Sequence, residues 1–63
     1  MQLDEIIQKV RQEKHVSEIA IRQSIITIQL NPELHQGTFY EQVLKEVDRR
    51  IGLGWIKPEL DDF

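Results

Sequence analysis

SEIAIRQSIITIQL, residues 17–30, is the stretch on which the fold turns, because its isoleucines are spread too widely around a helix for one neighbour to bury them. Wound as a helix, it puts Ile19, Ile26 and Leu30 on one side, at offsets of seven and four, and Ile21, Ile25 and Ile28 roughly on the other. Two apolar faces need two partners. The rest of a 63-residue chain can cover one of them with its own helices, and the second then argues for association with another chain. A strand competes for the end of this stretch, since Ile26-Thr27-Ile28-Gln29-Leu30 alternates apolar and polar and is rich in β-branched residues. Ile25 beside Ile26 breaks the alternation, so the expectation is a helix over 17–30.

Its limits are marked on both sides. Ser17 is a good N-cap, Glu18 suits the first turn, and Val16 and Ile21 stand where a hydrophobic staple places its two residues. Asn31-Pro32 stops the helix, because the residue before a proline is pushed out of the helical region and the ring clashes with the turn before it. Upstream, Leu3, Ile6, Ile7 and Val10 recur at helical spacing behind Asp4 and Glu5, which suit the positive end of a helix dipole, and predict a first helix over about 3–14 closed by Lys14 and His15. Downstream, Asn31-Pro32-Glu33-Leu34 predicts a connector with a single helical turn before Gly37.

Thr38-Phe39-Tyr40-Glu41 is a capping box and opens a third helix over about 38–51. Phe39, Tyr40, Val43, Leu44, Val47 and Ile51 occupy one side of it, and Glu41, Lys45 and Arg49 form an i, i+4 ladder on the other. Gly52 is placed to terminate the helix in a left-handed conformation. Residues 55–63 then read as an acidic tail with hydrophobic anchors, Trp55, Leu60 and Phe63, in which Trp55 and Ile56 fold back to cap the open end of the bundle. The tip beyond Pro58 is expected to be mobile.

Composition limits what such a chain can do. At this size folding buries only about 60% of the surface of the unfolded chain, so stability is marginal without staples or oligomerisation. Cysteine is absent, which removes disulfides, thiolate zinc sites and cysteine nucleophiles and fits a reducing, cytoplasmic compartment. The longest apolar run is Ile19 to Ile21, which excludes a membrane span, and no secretory leader pattern is present. Residues 1–30 balance Lys9, Arg11, Lys14 and Arg22 against Asp4, Glu5, Glu13 and Glu18. Residues 31–63 set Lys45, Arg49, Arg50 and Lys57 against seven acids and carry the whole net charge of −3. A basic stripe for phosphate binding is missing, so nucleic acid is disfavoured.

No arrangement of nucleophile, base and orienting group emerges, because Ser17, Ser24, His15, His35 and the carboxylates fall at caps, connectors or charged faces. His15 and His35 stand twenty residues apart without a third ligand, so their plain reading is as solvated residues, and neither metal nor cofactor is implied. A helix-turn-helix reading of Val10, Val16 and Ile21 fails where His15 stands for the turn glycine, Arg11 for the small contact residue and Ser24 for the next buried position. Under the strand alternative, residues 26–34 would resemble the opening of a ribbon-helix-helix repressor, a family that needs two helices after its ribbon; too little chain follows Gly52 for the second. Asp61, Asp62 and Phe63 resemble the acidic tip of bacterial single-stranded DNA-binding proteins, which would imply a peptide ligand, although only these three residues match.

The expectation is therefore a small, soluble, all-α three-helix domain over residues 1–54, a helical hairpin plus a third helix, paired into a dimeric bundle. Ile19, Ile26 and Leu30 form its interface, and its function is non-enzymatic protein–protein interaction of a regulatory or adaptor kind. Two alternatives stand beside it. One is a monomer with the second helix held centrally and only Glu18, Arg22 and Gln29 exposed. The other is a small DNA-binding regulator using Arg11, Lys14, Arg22 or the Arg49-Arg50 pair.

Overall fold

Residues 18–30 are helical throughout, with Ser17 as the extended cap residue before them. In the computed structural model, which describes residues 2–58, the Ser17 hydroxyl accepts from the Ala20 amide at 3.2 Å, and Val16 and Ile21 are both wholly buried. Cap and staple thus launch α2, Glu18–Leu30, at the predicted place. It is flanked by α1, Leu3–Lys14, and α3, Phe39–Gly52; among the described residues there is no strand. The alternation after Ile25 is overridden because a strand would put Ile26, Ile28 and Leu30 on one face and strand Ile25 on the other. The helical period instead groups Ile21, Ser24, Ile25 and Ile28 in the interior.

The core takes Ile6, Ile7 and Val10 from α1, Val16 from the link, Ile21, Ile25 and Ile28 from α2, and Val43 and Val47 from α3. Ile56 closes it from beyond α3, and Phe39, Tyr40, Leu44 and Ile51 pack around its edge. Ser24 is the small polar residue among these, and it is satisfied by donating to the Ala20 carbonyl at 3.0 Å.

The turns differ from expectation in three details. His15 ends α1 through a left-handed backbone (φ 56°), with its amide on the Arg11 carbonyl at 2.9 Å, so geometry as well as basic charge closes that helix. The connector forms one hydrogen-bonded turn, Leu34 N–H to the Asn31 carbonyl at 3.0 Å, in place of a helical turn. Gly52 lies inside α3, and the left-handed role belongs to Gly54 (φ 82°), whose amide and that of Trp55 close on the Ile51 and Arg50 carbonyls.

The predicted ladder on α3 is also replaced. Glu41 reaches back to the Thr38 amide at 2.8 Å to complete the capping box, and Lys45 donates to the Gln36 carbonyl at 2.7 Å. Arg49 turns to Glu46. For Glu41 and Lys45 nearby backbone groups that need partners outcompete weak surface ion pairs, and for Arg49 a buried carboxylate does. No helix of the described residues is long and apolar enough to cross a membrane.

Candidate functional site

Two features stand out on this scaffold, and they adjoin. The first is the side of α2 that faces away from the core. Ile19 is 69% exposed, Ile26 54% and Leu30 75%, in a line along the helix, with Gln23 between the first two. Roughly 1.5 Å of rise per residue makes this line about 16 Å long. Toward α1 it continues into a shallow groove lined by Leu3, Arg22, Ile25, Ile26 and Gln29, and beyond Leu30 it meets the half-exposed Leu34. Glu18 and Arg22 border it as a self-neutralising pair at 2.8 Å.

The second feature is the carboxylate of Glu46, completely buried between Val43 and Val47 on the inner face of α3. Arg49 grips it with two parallel bonds, Nε to Oε1 at 2.9 Å and Nη2 to Oε2 at 2.8 Å. Arg50 Nε donates to Oε2 at 2.8 Å, and His35 Nε2 lies 2.9 Å from Oε1. Because an ionised carboxylate only accepts, that ring nitrogen carries a hydrogen. Burial alone would raise the Glu46 carboxyl, but the bonds from Arg49, His35 and Arg50 outweigh it and hold the group at about 2, against an ordinary 4.5. Four donors fill the lone pairs of this group, which leaves none for a substrate. Its work is to fasten: His35 brings in the connector, and Arg50 reaches on to the Thr27 hydroxyl at 2.6 Å, tying α3 to α2.

Trp55 sits on the outside of this cluster. Its ring lies 5.5 Å from the guanidinium carbons of both Arg49 and Arg50, and it is 63% exposed. The expectation that Trp55 folds back onto the bundle end thus holds only for its neighbour: Ile56 enters the core, and Trp55 rests on charged groups instead. Leu60 and Phe63, the other predicted anchors, lie outside the described residues, as does the acidic Asp61-Asp62 pair.

The cations considered for DNA binding are mostly engaged. Lys14 pairs with Asp48 at 3.0 Å, Arg22 with Glu18, and both Arg49 and Arg50 with Glu46. His35, read from sequence as a solvated turn residue, is instead a partner of the buried acid. Glu46 itself went unnoticed in the sequence. The signal was there: an acid on the same helical arc as Phe39, Val43 and Val47, with arginines three and four residues on, is placed for burial with its own counter-ions. No protein-family model, curated protein or solved structure matches this chain.

Proposed function

We propose that the protein is a non-enzymatic interaction module of a regulatory or adaptor kind that acts by binding protein, and that a second copy of itself covers the outer side of α2. The observation that carries this reading is the exposure of Ile19, Ile26 and Leu30 in one line on a helix whose opposite side is already in the core. Aliphatic side chains in register are the ordinary material of helix–helix contacts. The border of the stripe adds no local repulsion, since Glu18 and Arg22 neutralise each other beside it. A chain of 63 residues also gains most from a partner, because its own core is small.

Magnitude sharpens the reading. Burying the exposed part of three such side chains is worth about 4 kcal/mol in total, at the bottom of the roughly 4–15 kcal/mol that association costs. The stripe is the centre of the surface, and its borders must contribute. A nucleic-acid role has less support, since Lys14, Arg22, Arg49 and Arg50 all have carboxylate partners.

Light scattering coupled to size-exclusion chromatography tests the proposal. The wild-type chain at high micromolar concentration should run with the mass of a dimer, and Ile26→Glu, a change at an exposed position, should give a folded monomer with unaltered far-UV circular dichroism. A wild-type monomer at that concentration would remove the self-association, and an Ile26→Glu dimer would move it to another surface.

A further inference from the structure

We draw no further inference here: the strongest candidate, the exposed Trp55 ring resting on Arg49 and Arg50 just beyond the end of α3, carries nothing beyond the site already described, because nothing in the structure shows what covers it.

Discussion

Glu46 is the residue whose environment departs furthest from its ordinary chemistry. An ionised side chain with no solvent exposure is tolerated only where donors replace the water, and here Arg49, Arg50 and His35 do so. Its stabilising effect has a defined pH window. The folded-state carboxyl sits at about 2 and the ordinary value is 4.5, so the unfolded chain binds this proton first as acid is added. The contribution is therefore complete above about pH 4.5 and disappears as pH falls toward 2. Urea titrations of the wild type and Glu46→Gln should show the variant less stable by about 2–3 kcal/mol at pH 7, below the figure for a fully enclosed pair because Arg49 is 39% exposed. The gap should close between pH 5 and 2; a gap constant across that range would mean that the charge of Glu46 is not what stabilises. Neither this burial nor the outward position of Trp55 was read from the sequence. Helical spacing puts Glu46 on the inner arc, but charge argues for solvent, and only the positions of Arg49, Arg50 and His35 in space decide between the two.

At the scale of the element, each helix was legible because its own residues specify where it begins and which side it buries. Ser17 and Thr38 accept from the amides three residues on, and Asn31-Pro32 stops α2 where the ring requires it. The end of α3 was not legible, since Gly52 directly follows the last apolar position and reads as the terminator, whereas the left-handed turn falls at Gly54, just before Ile56 enters the core. The two readings predict opposite signs for one substitution. Gly52 is helical with nothing within 4 Å of an added Cβ, so Gly52→Ala should stabilise by about 0.5–1 kcal/mol through loss of unfolded-state freedom. Had Gly52 carried the left-handed turn, alanine there would destabilise. Gly37→Ala is the matching control: φ is +110° and the new Cβ would stand 2.5 Å from Glu41 Oε1, inside the capping box. A melting temperature that rises for Gly52→Ala and falls for Gly37→Ala agrees with the structure; a fall for both would return the helix end to Gly52.

For the whole molecule, the division of α2 into two sides was readable, and so was the outward turn of Ile19, Ile26 and Leu30. The reason is that α1 and α3 each offer a single apolar stripe, and two stripes that also face each other can enclose only one side of the helix between them. What covers the other side is not a property of one chain's sequence pattern, because an aliphatic line fits many surfaces equally well. Thermodynamics separates the possibilities without knowledge of the contact. If folding and self-association are linked, the melting temperature must depend on protein concentration, since a partner that binds only the native chain adds stability with the logarithm of its concentration. Raising the chain from near its dissociation constant to about a hundredfold above it should add roughly 2 kcal/mol, which for so small a domain is about 10 °C. Ile26→Glu should melt at the same temperature at every concentration, and at that of the wild type when the latter is dilute, because residue 26 makes no contribution to the monomer core. A wild-type melting temperature that stays flat over the same range would mean that the isolated chain is the folding unit and that the outer side of α2 awaits a different protein.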